Sequence, residues 1–198
     1  MPQTLYLMRH GETLFNEQHK IQGWCDSPLT AKGQAQAKIA GQYFTANQIR
    51  FDHAYCSTSE RSSDTLELVT QNKMPYTRVK GLKEWNFGRF EGEHEYLNPK
   101  LPYRDFFVAY GGESQYEVAK RLGQTLTQIM SKKDHNCVLA VSHGAACANF
   151  LRYCLHTEDL APYTGGKIGN CAIFKFSFFE NEFKFEELIR PDFSSLEN

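Results

Sequence analysis

Apolar positions along the chain fall into short runs of two different periods. Residues 4–8 form a compact apolar run that closes at Gly11, which predicts a buried strand. After Pro28, Thr30 opens a predicted helix to about residue 47, with Ala35, Ile39 and Tyr43 along one face. Residues 53–57 read as the next strand. Ser57 and Glu60 then read as a capping box for a helix that reaches about residue 71. A further strand is predicted over 77–85, and a long helix over 113–133 with Val118, Leu122, Leu126 and Ile129 at helical spacing. Residues 137–142 are continuously apolar, as in a strand buried on both faces of a parallel sheet, and a helix follows to about residue 155. Phe174, Phe176 and Phe178 alternate with polar residues, and after a turn at Glu180 and Asn181 the alternation resumes at Phe183 and Phe185. That pattern is a hairpin.

Strands alternating with helices, closed by a hairpin, predict a single three-layer α/β/α domain with a mostly parallel mixed sheet and a C-terminal antiparallel hairpin. The domain is expected over 1–190, with 93–111 inserted as a lid and 191–198 as a loose tail. At 198 residues the chain is long enough to bury a core without disulfides or metal. Lys and Arg number 22 against 23 Asp and Glu, a net charge of -1, which argues against nucleic acid as a partner and requires any anion site to be local. No apolar stretch approaches the ~20 residues that cross a bilayer, and no secretory pattern precedes Arg9 and His10, so neither membrane association nor export is expected. The expected compartment is the cytoplasm, with all six cysteines reduced. There is no C-x-x-C pair; His143 and Cys147 have metal-pair spacing but lack partners, so no metal and no cofactor are expected.

In open α/β sheets ligands sit beyond the carboxyl ends of the strands. That rule selects Arg9, His10 and Gly11 after the first strand, Arg61 after the second, Glu84 after the third, and His143 with Gly144 after the fourth. Two guanidiniums at a helix-start rim suit a phosphoryl group, because their forks hold its oxygens bidentately while helix amides add positive charge. One neutral histidine there can attack phosphorus and a second, protonated, can steady the equatorial oxygens. A carboxylic acid at the rim can protonate the departing oxygen and then activate water. A cysteine-dependent phosphate loop is excluded: Cys56 and Arg61 are spaced C-x4-R, one residue short, with no glycine between them. The segment after Glu84 is dense in aromatic and apolar residues, among them Tyr96, Leu101, Tyr103, Phe106 and Phe107, and is interrupted by Pro99 and Pro102. It is expected to wall the leaving-group side and favour bulky, partly apolar leaving groups, with Tyr103 against the substrate and Lys100 and Arg104 available for a further anionic group.

Larger motifs extend these residues. Arg9-His10-Gly11-Glu12-Thr13 is followed by Asn16, then by Gln22-Gly23-Trp24 and Asp26-Ser27-Pro28-Leu29-Thr30. Ser57 to Arg61 with Asp64-Thr65, Leu82-Lys83-Glu84 with Phe87-Gly88 and Glu91-Gly92, Gly111 to Ser114, and Val141-Ser142-His143-Gly144 continue in order. On these matches the sequence resembles the histidine phosphatase superfamily in its phosphoglycerate-mutase-like branch, and phosphatase members more than mutases. The resemblance implies a metal-independent phosphomonoester hydrolase in which His10 becomes a phosphohistidine. It further implies that Arg9, Arg61 and His143 hold the phosphoryl oxygens, that Glu84 acts as acid and then base, and that Asn16, Gln22, Gly23 and the Gly144 amide complete the pocket. Ser62, and Ala145-Ala146 after Gly144, depart from the family pattern, and only a short segment separates Gly92 from Gly111, which favours hydrolysis over the mutase alternative. A non-catalytic phospholigand-binding protein, the other alternative, would need neither His10 nor Glu84.

Overall fold

A computed structural model describes residues 2–196. Its elements run β1 (Gln3–Arg9), α1 (Leu14–Glu17), α2 (Ala31–Ala46), β2 (His53–Cys56), α3 (Glu60–Thr70), β3 (Tyr76–Arg78), α4 (Gln115–Met130), β4 (Cys137–Ser142), α5 (Gly144–Leu155), α6 (Ala161–Thr164), β5 (Ile173–Phe179) and β6 (Glu182–Ile189). The six strands form one sheet in the order β3-β2-β4-β1-β5-β6. The β3-β2, β2-β4 and β4-β1 pairs are parallel, and β5 and β6 add antiparallel, as the alternating sequence pattern predicts.

Successive strand residues point to opposite faces, so the central strands feed two cores. Leu5, Leu7, Val138 and Ala140 pack with Leu122, Leu126 and Phe150 of α4 and α5. Tyr6, Met8, Leu139 and Val141 pack with Ala37, Phe44, Leu66 and Val69 of α2 and α3. The hairpin turns at Glu180 and Asn181, both with positive φ (51 and 65), which suits the twist of the flanking strands.

Helix ends follow their caps. Thr30 Oγ1 accepts from Gly33 N at 3.0 Å, and Ser114 and Glu117 form a reciprocal box at the head of α4. Gly33 must lack a side chain, because a Cβ there would meet Glu12 O at 1.9 Å. The Ser57/Glu60 box does not form. Helix α3 starts at Glu60 behind Ser59, Ser57 Oγ accepts from Ser59 N instead, and the Glu60 amide donates to Asp26 of a distant loop.

The strand expected over 77–85 is also shorter. After Arg78 the chain makes a tight turn at Lys80–Leu82, because Arg121 of α4 donates to the carbonyls of Gly81, Lys83 and Glu84 and so replaces a sheet neighbour. Glu84 therefore rides on a loop that folds back over the sheet end. The tail expected to be loose has Pro191 buried and Phe193 packed on the second core; residues 197 and 198 lie outside the described residues. Among the described residues no helix is long and apolar enough to cross a membrane.

Candidate active site

His10 follows β1, His143 follows β4, and Arg61 opens the helix after β2, so adjacent strands bring all three together. The His10 and His143 rings lie 5.2 Å apart, edge to face. Arg61 sits between them: its Nε donates at 3.3 Å to His10 Nε2 and at 3.2 Å to His143 Nδ1. One N–H shared at those lengths is weakly held by each acceptor. The rest of the guanidinium donates to Gly23 O at 2.8 Å, Cys25 O at 2.9 Å and Asp26 Oδ1 at 2.7 Å.

His10 Nδ1 lies 2.7 Å from Gly11 O. A carbonyl can only accept, so the proton sits on Nδ1 and the lone pair on Nε2. Burial and the charges of Arg61 and Arg9 push the His10 pKa well below the ordinary histidine value, and burial with Arg61 does the same to His143. Both rings are neutral.

A cavity of about 320 Å³ opens above His10. Arg9, Asn16, Gln22, Glu84, Tyr103 and Gly144 are among the residues that line it. Arg9 spends Nη1 on Ile168 O at 2.7 Å, and its buried Nε has no partner in the protein. Glu84 is 6% exposed; Oε1 accepts from Trp85 N at 2.8 Å and Ala146 N at 2.7 Å, and Oε2 from Ala145 N at 2.9 Å. Its carboxyl thus rests on the N-terminus of α5. Burial nevertheless raises its pKa, against the pull of those amides.

Several expected residues sit elsewhere. Arg61 and His143 are fully buried behind His10 and do not border the cavity, because the carbonyls of the 23–25 loop hold the guanidinium down. Gly23 contributes that carbonyl and not a cavity wall; a Cβ on it would meet Trp85 O at 2.2 Å. Lys100 is exposed and off the cavity, and Arg104 borders a separate surface groove with Tyr116 and His156. Besides Arg9, the cations on the cavity wall are instead Lys20, Arg152 and Lys167. Of these, Arg152 was legible: Ala145, Ala148, Asn149 and Arg152 share one face of α5, at spacings 3, 4 and 7 from the first. The aromatic wall is half spent elsewhere, since Phe107 is buried against Trp85 and Phe87, Phe106 and Tyr110 pack on Phe90, and Tyr96 is exposed.

Glu91, a carboxylate that could rival Glu84, faces away from the cavity. It accepts the amides of Gly23, Trp24, Cys25 and Phe87 at 2.8–3.0 Å and so shapes the loop that holds Arg61. Among the described residues one group has metal-ligand spacing: His53, Asp134 and His135, at the opposite end of β2 and β4, where the carboxylate already pairs with both imidazoles. His143 and Cys147 gain no third ligand atom.

The sequence model of the histidine phosphatase superfamily (branch 1) matches residues 5–190. A 2,3-bisphosphoglycerate-dependent phosphoglycerate mutase from Bartonella quintana is 36% identical over 125 residues, 61% of this chain and 56% of that protein. The chain thus matches little more than half the length of that relative. A probable phosphoglycerate mutase GpmB from Salmonella paratyphi A is 29% identical over 188 residues, 90% of this chain and 86% of the relative. In three dimensions the chain is similar to a phosphoserine phosphatase mutant from Entamoeba histolytica in complex with phosphoserine, with a TM-score of 0.78 and 29% identity over 94% of this chain and 96% of that one.

Proposed function

The chain belongs to the histidine phosphatase superfamily, and on that premise we propose that it is a phosphomonoester hydrolase that needs no metal and works through a phosphohistidine on His10. Residues 1–190 form the catalytic domain in this reading, and 93–111 its lid. The observation that carries it is the tautomer of His10: Nδ1–H donates to Gly11 O, which leaves a neutral Nε2 lone pair at the cavity floor, beside two guanidiniums.

Nε2 attacks phosphorus as the bond to the leaving oxygen breaks, and Glu84 supplies the proton that oxygen needs. Its raised pKa keeps more of it protonated for that step. The resulting carboxylate takes a proton from water, which attacks the phosphohistidine, frees inorganic phosphate and restores Nε2. Arg9 Nε offers an uncommitted donor to a phosphoryl oxygen, and the Arg61 N–H now shared between two rings moves to another at little cost. His143, buried behind His10, acts through the Arg61 N–H that it shares; Asn16 and Gln22 border the phosphoryl site. Arg9, Arg61 and the cavity-wall cations supply the positive charge that other phosphatases draw from divalent ions.

The short 93–111 segment supports hydrolysis, while the names of the matched relatives favour a second reading, a phosphoglycerate mutase. The two are separated by incubating the protein with 3-phosphoglycerate and 2,3-bisphosphoglycerate. Net release of inorganic phosphate, absent in His10→Ala, is expected; efficient interconversion of the two monophosphoglycerates would overturn the hydrolase.

A further inference from the structure

Three buried side-chain atoms among the described residues lack a hydrogen-bond partner: Arg9 Nε, Asn98 Oδ1 and Asn149 Nδ2. All three residues line the same cavity. Buried polar groups are almost always paired, so a cluster of exceptions in one concavity marks groups kept for a ligand. The phosphoryl group accounts for Arg9 Nε. Nothing in the transfer chemistry uses the two amides.

The orientation of Asn149 is fixed by its neighbour. Arg152 Nη1 donates to Asn149 Oδ1 at 3.1 Å, and a guanidinium only donates, so the oxygen faces Arg152 and the NH2 group is left over. Asn149 is 1% exposed and lies four residues beyond Ala145, whose amide holds Glu84. It therefore stands one helical turn from the acid that serves the leaving oxygen. Asn98 belongs to the 93–111 segment and lines the same cavity, as does Tyr103. A leaving group there meets one unpaired acceptor, one unpaired donor and an aromatic ring.

A hydroxyl group donates and accepts at once, and the C–H face of a polyol packs on an aromatic ring. We propose, on the basis of the hydrolase reading, that the substrate is a phosphomonoester of a hydroxylated leaving group, a polyol or sugar phosphate, selected by Asn98 and Asn149. An aryl or plain alkyl leaving group leaves both amides unpaired. A site built to hydrogen-bond a hydroxyl discriminates strongly against the analogue that lacks it; for two amides beside solvent the expected factor is about 10- to 100-fold.

The test compares kcat/KM for glycerol 1-phosphate and n-propyl phosphate, which have three-carbon leaving groups and differ in hydroxyls. The wild type is expected to favour glycerol 1-phosphate by that factor, mainly through KM. Asn149→Leu and Asn98→Leu should shrink the ratio several-fold, and so should Asn149→Asp, which preserves shape but turns the donor into an acceptor. An equal rate on both esters in the wild type, or an unchanged ratio in folded Asn149→Asp and Asn98→Leu, would overturn the proposal. If neither ester, nor p-nitrophenyl phosphate, releases phosphate, the hydrolase reading fails instead. Selection is then read by calorimetry on His10→Ala protein, where equal affinities for the two esters would refute it separately.

Discussion

Replacing Glu91 by Gln should damage stability and turnover together, although Glu91 does not touch the cavity. Its Oε1 accepts from Trp24 N at 2.8 Å and Phe87 N at 3.0 Å, and its Oε2 from Gly23 N and Cys25 N, both at 3.0 Å. A glutamine keeps one oxygen and puts an NH2 group against the other pair of amides. Two charge-assisted hydrogen bonds are lost, at roughly 1.5–2 kcal/mol each, a loss of about 3–4 kcal/mol before the weakening of the retained pair is counted. For a chain of this length that corresponds to a fall in Tm of roughly 6–16 °C. The same loop presents the Gly23 and Cys25 carbonyls to Arg61, so kcat/KM should fall for every substrate, good and poor leaving groups alike. Urea unfolding followed by circular dichroism, with p-nitrophenyl phosphate turnover at 20 °C, measures both effects. A loss of stability below about 1 kcal/mol, or full activity in the destabilised variant, would show that Glu91 does not organise the Arg61 loop.

Further outcomes follow from the same geometry. His10 and His143 are held neutral when folded but protonate near pH 6.5 when unfolded, so stability should fall as pH drops below that value, by up to about 2.7 kcal/mol per pH unit for the pair. Denaturation midpoints across pH 5–7 test the sign, and a His10→Ala slope equal to the wild type's would contradict it. Glu84→Gln should depress hydrolysis of alkyl phosphates far more than that of p-nitrophenyl phosphate, whose leaving oxygen needs no proton; equal losses would remove Glu84 from the acid role. Activity should survive EDTA and yield to vanadate, and a loss that zinc or magnesium restores would refute metal independence. Gly33→Ala should destabilise strongly, since the added methyl would sit 1.9 Å from Glu12 O; a Tm within a degree or two of wild type would mean that the loop yields freely.

The sheet and its helices were legible because local signals and tertiary demands coincide there. The apolar run at 137–142 is β4 to the residue, and the phenylalanine alternation is the β5-β6 hairpin. Legibility failed where a side chain from far along the chain replaced a local partner. Arg121 captured the carbonyls that would have extended β3, and Asp26 took the amide that Ser57 was expected to cap. The site divides the same way. Motif residues at strand ends arrived together, but Lys100 and Arg104 were placed by chain proximity, and a proline-interrupted segment does not reveal which way its cations turn. Glu91 escaped notice as an organiser because its work is done on backbone amides, which leave no trace in residue type.

On the hydrolase reading, the single N–H that Arg61 shares between His10 and His143 should make substrate capture a proton-coupled event. A cation wedged between two imidazoles forbids either from charging, so the empty pocket stores no proton of its own. A phosphate monoester dianion cancels that repulsion, and the ring that does not attack becomes free to take up a proton from solvent. Binding heats measured in buffers of different ionisation enthalpy should then diverge in proportion to the protons absorbed. The pocket charges itself only when its substrate is in place, on the ring that does not attack, so the nucleophile keeps its lone pair throughout and the counter-charge for the phosphoryl oxygens is supplied on demand.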